Sequence, residues 1–160
     1  MSTVASCLWF DTQAKEAAQF YCSLFEDARI DAVSHYGEGM PLPAGTPLLV
    51  EFTLAGQRFQ GLNGGPMFPQ SEAFSITVSC RDQAELDHFW NALTANGGKE
   101  SMCGWLKDRF GVSWQMVPQR MTQLMGSGDS AAIGRMMARM MSMDKLDIAA
   151  LEAAYHGEQQ

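Results

Sequence analysis

The sequence predicts an α+β fold made of two consecutive βαβββ modules and a helical tail, and three observations carry that prediction. Ala17, Phe20, Tyr21 and Leu24 fall at i, i+3, i+4 and i+7, and Leu86, Phe89, Trp90 and Leu93 repeat the spacing in the second half, so each quartet traces one apolar helix face. The same dipeptide introduces both, Gln13-Ala14 and Gln83-Ala84. Each also follows a short run of alternating apolar residues, the period of a strand. A duplicated unit commonly packs against its twin about a pseudo-twofold axis, which predicts a ligand groove between the twins.

The elements follow in order. Val4 to Phe10 reads as the first strand, with Asp11 or Thr12 able to cap a helix that runs to about Phe25. Ile30 to Tyr36 is the next strand, and the Gly- and Pro-rich stretch 37–45 is an exposed loop of the kind that often carries function. Leu48 to Leu54 and Gln57 to Leu62 are strands joined by a tight hairpin at Ala55-Gly56, and Asn63-Gly64-Gly65-Pro66 closes the half. The second half opens with Phe74 to Cys80. Asp82 then caps a helix with Glu85 at its third position, and Asn96-Gly97-Gly98 stops it. A strand near Glu100 to Cys103, the segment Trp105 to Asp108, a turn at Arg109-Phe110-Gly111 and a last strand Val112 to Val117, ended by Pro118, complete the module. Beyond it, Met136, Met137, Met140 and Met141 alternate with Arg135 and Arg139, and Leu146, Ala149, Ala150 and Ala153 recur at helical spacing. The expected organisation is a single domain over 1–160, with modules at about 1–66 and 72–118 and the tail at 119–160.

Composition bounds the function. A net charge of −7, with 11 basic residues scattered among 18 acidic ones, excludes the basic stripe that a nucleic-acid partner requires. No apolar run approaches the length that crosses a bilayer, so no membrane association is expected. The N-terminus lacks a basic segment followed by an apolar stretch, which predicts a cytoplasmic protein. Cys7, Cys22, Cys80 and Cys103 show no metal-binding or redox spacing and read as buried, reduced thiols. The methionine-rich tail predicts packing onto the body or onto a second subunit, the alternative being a grip on an apolar ligand.

Several stretches together resemble one family. They are Cys7-Leu8-Trp9-Phe10-Asp11, Phe20-Tyr21, Leu62-Asn63-Gly64-Gly65, the long run from Cys103 to Pro118, and Asp147 to Tyr155 in the tail. They resemble the PhnB-like branch of the glyoxalase, bleomycin-resistance and dioxygenase superfamily, also called vicinal oxygen chelate proteins. The resemblance implies cupped mixed β-sheets with the helices outside, and a homodimer formed by pairing or exchanging modules. It also implies a divalent metal held by His and Glu from the first and last strand of each module. Here those positions align to Ser6 or Cys7, Gln60 or Leu62, Ser75, and Gln115, none of them His or a carboxylate. Neutral amides and hydroxyls are poor ligands for a divalent cation, and His35, His88 and His156 do not fall at the site. No metal and no cofactor are therefore expected.

The expected function is that of a PhnB-like, metal-free, small-molecule-binding homodimer whose candidate pocket is lined by Trp9, Gln60, Leu62, Ser75, Trp105 and Gln115. Gln115 is the most telling of these, since an isosteric neutral group stands where a Glu is implied; the alternative is that it only satisfies backbone groups at the sheet edge. Trp9, Phe10, Phe59, Trp105 and Trp114 offer aromatic lining, or else core packing, and only one of each adjacent pair Trp9/Phe10 and Trp114/Gln115 can face a pocket. The alternative function is a glyoxalase-type lyase, isomerase or dioxygenase, with or without metal. The branch is often labelled a 3-demethylubiquinone-9 3-methyltransferase. That activity is disfavoured because Asn63-Gly64-Gly65 runs into Pro66-Met67-Phe68-Pro69 rather than into the helix a nucleotide-type methyl donor requires. No catalytic residue is assigned from the sequence.

Overall fold

A computed structural model describes residues 1–158, and the chain divides into two compact units, Met1–Gln70 and Ser71 onward. In the first, β1 (Ser6–Phe10), α1 (Ala14–Leu24), β2 (Ala28–His35), β3 (Pro47–Leu54) and β4 (Gln57–Asn63) follow in βαβββ order and form a four-stranded sheet ordered β1-β4-β3-β2. β1 runs parallel to β4, and the other two pairings are antiparallel. The alternation read from the sequence explains which face is covered. Leu8, Phe10, Val50, Phe52, Leu54 and Phe59 are buried together with Ala14, Ala17, Ala18 and Tyr21 of α1. Gly61 lets the helix come close: a Cβ there would stand 3.1 Å from that of Ala14.

The second unit repeats the plan with β5 (Ser75–Cys80), α2 (Gln83–Thr94), β6 (Lys99–Glu100), β7 (Trp105–Lys107) and β8 (Ser113–Pro118), ordered β5-β8-β7-β6. Leu86, Phe89, Trp90 and Leu93 of α2 are buried with Cys80, Leu106, Trp114 and Met116 of the sheet. The tail forms α3 (Gln119–Met125), α4 (Ser130–Met140) and α5 (Ile148–His156). Met136, Leu146 and Leu151 are its buried anchors, while Met141 is 63% exposed, so the methionine stripe packs only in part.

Two local expectations are corrected. Neither Asp11 nor Thr12 caps α1: its N-cap is Gln13, which makes no side-chain cap. The Asn63 side chain does that work from the end of β4, its Oδ1 accepting from Ala14 N at 2.8 Å while its Nδ2 donates to Pro47 O at 2.9 Å. The strand expected near Glu100 to Cys103 stops at Glu100. Cys103 has φ +60 and Gly104 φ +83, both left-handed. Their amides donate to Met143 O at 2.7 Å and Asp144 O at 2.8 Å, so bonds to a distant loop replace the ladder. The other local cap is as expected, Asp82 Oδ1 accepting from Glu85 N at 2.9 Å. The Ala55-Gly56 hairpin has φ of +45 and +81, the two left-handed residues of a type I′ turn.

Candidate functional site

In each unit the helix covers one face of the sheet, and the candidate residues sit on the other. In the first, β1–β4 register sets Cys7 beside Gln60 and Trp9 beside Leu62. Strand alternation turns these side chains away from Leu8, Phe10 and Phe59, which lie under α1. Trp9 is committed to its own module. Its Nε1 donates to Gly65 O at 2.8 Å, its ring meets Phe68 edge-on at 4.9 Å, and Gln70 Nε2 donates to its carbonyl. A Cβ on Gly64 would lie 2.2 Å from the indole, so that glycine exists to admit the ring. Gln60 Nε2 donates to Glu51 Oε1 at 3.4 Å, and Glu51 lies 3.9 Å from Arg58.

In the second unit the open face carries Ser75, Trp105 and Gln115. β5–β8 register sets Ser75 beside Ser113 and Thr77 beside Gln115, and β7–β8 register sets Trp105 beside Gln115 and Lys107 beside Ser113. Gln115 Nε2 donates to Ser75 Oγ at 2.9 Å. Bonded to each other, the pair keeps the Gln115 carbonyl oxygen as an acceptor and the second Gln115 N–H and the Ser75 O–H as donors. Trp114 faces the other way, fully buried, as do Phe10 and Phe59, so of the five candidate aromatics only Trp9 and Trp105 lie on open faces.

Two residues that organise these faces escaped the sequence reading. Asp108 is 3% exposed and its carboxylate accepts from Phe110 N at 2.8 Å, Val112 N at 3.1 Å and Trp114 Nε1 at 2.9 Å, which fixes the turn into β8. Asn63, fully buried, caps α1 as described and accepts on its backbone oxygen from Tyr36 Oη at 2.6 Å. The only available signal was their placement, a lone Asp before an Arg-Phe-Gly turn and an Asn before Gly-Gly, where a short polar side chain can bond nearby backbone.

The residues at the metal positions that the resemblance implies do not fit a divalent cation. Cys7, Gln60, Ser75 and Gln115 supply no carboxylate or imidazole, and among the described residues no group of three or more His, Cys, Asp or Glu could hold a metal ion. His88 is exposed on α2, with its ring 5.2 Å from that of Phe89. Burial, with Glu85 and Asp82 nearby, pushes the Cys80 thiol up to about 12, which leaves it protonated and inert at neutral pH. Among the described residues no helix is long and apolar enough to cross a membrane.

Comparison with known proteins places this architecture. The family model described as 3-demethylubiquinone-9 3-methyltransferase matches residues 2–117, ending just before α3. A solved structure described as a putative 3-demethylubiquinone-9 3-methyltransferase, PhnB protein, from Bacillus cereus is 32% identical; the match covers 73% of this chain and 99% of that one, with a TM-score of 0.67. A protein from Pseudomonas aeruginosa is 22% identical over 74% of this chain and 98% of its own, with a TM-score of 0.60. A mutant of the fosfomycin resistance protein FosX from Listeria monocytogenes, complexed with Mn(II) and a dihydroxypropylphosphonic acid, shares the fold. It is 13% identical over 73% of this chain and 92% of that one, with a TM-score of 0.51. No curated protein matches the chain. The chain belongs to the 3-demethylubiquinone-9 3-methyltransferase family, the PhnB-like family that its sequence resembles.

Proposed function

We propose that this protein is a cytoplasmic homodimer that binds a small molecule without a metal ion, using Trp9, Gln60 and Leu62 on one helix-free sheet face and Ser75, Trp105 and Gln115 on the other. The observation that carries this reading is the part-buried Gln115–Ser75 bond at 2.9 Å on the sheet face opposite α2. A neutral amide and hydroxyl occupy positions for which the superfamily implies metal ligands. They suit recognition of a polar group and lack the charge that activates water or oxygen. Methyl transfer finds no support in the chain around Gly64-Gly65, which leads to no helix before α2, whereas a nucleotide-type donor calls for a helix N-terminus.

The test has two stages. Elemental analysis of purified protein is expected to find no stoichiometric zinc, nickel, iron or manganese, and one ion per chain would overturn the metal-free reading. Compounds that raise the melting temperature in a thermal-shift panel are then incubated with the protein and recovered. Recovery unchanged, with the shift abolished in Gln115→Ala, supports binding; a new product would make the protein an enzyme of the glyoxalase type.

A further inference from the structure

A recess of about 650 Å³ opens on the second module at its short outer strands, lined among others by Glu72, Lys99, Met102, Trp105, Lys107 and Ser113. Its size falls in the range of small-molecule sites. Ser113 is 1% exposed, and its Oγ is the single buried side-chain nitrogen or oxygen among the described residues that has no hydrogen-bond partner. Buried hydroxyls are almost always bonded, so one left over at the wall of a recess is a donor and acceptor reserved for something that enters.

The charges around it point to an anion. Lys99 and Lys107 are cross-strand partners in the β6–β7 pair, and like charges facing each other repel unless an anion lies between them. Lys107 Nζ lies 2.6 Å from Glu72 Oε1, but the Glu72 side chain is 65% exposed, so another carboxylate can replace it at little cost. Lys99 makes no ion pair among the described residues. The remaining carboxylate at the rim, Glu100, is turned to the helix side, its Oε1 accepting from Trp90 Nε1 at 2.7 Å. Beside the two ammonium groups, half-buried Trp105 and exposed Met102 offer a flat apolar bed.

We infer that this recess binds a small aryl carboxylate, its carboxylate bridging Lys99 and Lys107, its hydrogen bond completed by Ser113 and its ring resting on Trp105. Glu72 is then a placeholder that the ligand's carboxylate displaces. The inference rests on the proposed use of the second module's open face and names the class of ligand it takes.

Benzoate, with benzamide as its uncharged isostere, tests this by NMR of the tryptophan indole N–H resonances. The four tryptophans give four such resonances, that of Trp105 being assigned with Trp105→Phe. Benzoate is expected to shift the Trp105 signal saturably while leaving that of Trp114, held by Asp108, in place. Lys107→Gln and Lys99→Gln should each weaken binding by about tenfold, the scale of one charge-assisted hydrogen bond, and Glu72→Gln should tighten it. Ser113→Ala should weaken benzoate binding yet leave the free protein's melting temperature unchanged or higher, since it removes an unbonded hydroxyl; a merely structural serine would do the reverse. A Trp105 signal that ignores benzoate overturns the inference. Equal shifts from benzamide and benzoate overturn the anion selectivity while preserving the open face as a ligand surface.

Discussion

The two modules share an element order and a strand order, yet they differ at their outer edges. β2 and β3 are eight residues each, whereas β6 has two and β7 three. In the first module the long outer hairpin carries its own polar contacts, where Thr53 Oγ1 donates to Asp31 Oδ2 at 2.6 Å and Arg29 lies 2.8 Å from Asp31. In the second the shortened strands leave a recess with an unbonded Ser113. The difference teaches that duplication preserves the helix-covered face, which every copy needs for stability, while the length of the outer strands is free to vary.

The modules also differ in how their turns and caps are held, which supplies ways to break the comparison. The largest effect is expected from Asp108→Ala. It strands three donors, two on the backbone and one on the buried Trp114 indole, and should cost about 3 kcal/mol or more in urea unfolding. The corresponding β3–β4 turn of the first module needs no such anchor, because Ala55 and Gly56 already adopt the type I′ conformation. Replacing Asn63 comes next. Asn63→Ala removes both a cap and a bond to Pro47, and should cost about 2 kcal/mol, measured the same way. Its counterpart Asp82→Ala removes one cap at an exposed helix start and should cost about 1 kcal/mol. Equal losses for the two would mean that the distant cap is no stronger than the local one.

The smallest effect at neutral pH concerns the thiols of the two modules' first strands. Cys7 is exposed on β1 and should react with iodoacetamide at pH 8, whereas Cys80 on β5 should react only on unfolding. The folded-state value of Cys80 is raised to about 12, above the ordinary thiol value of about 8.5 in the unfolded chain. Its contribution to stability is therefore complete below about pH 8.5 and is lost as pH rises toward about 12. Unfolding midpoints recorded across that range should fall in the native protein and fall less in Cys80→Ala.

The sequence by itself determined the duplicated βαβββ plan, the apolar face of α2, the Ala17 and Tyr21 part of the α1 face (whose buried stripe is completed by Ala14 and Ala18, with Phe20 and Leu24 only half-buried), the Asp82 cap, the tight hairpin and which strand residues lie opposite Phe10 and Trp114. These are properties of local periodicity and of adjacent residues, so they are written in consecutive positions. Only the tertiary structure decided that Asn63 caps a helix 49 positions away, that Cys103 leaves the strand to bond Met143, that Asp108 holds the last turn and that Ser113 lacks a partner. Each of these depends on which backbone groups distant segments bring within hydrogen-bond reach, and a buried polar atom's partners are set by three-dimensional packing rather than by its neighbours in the chain.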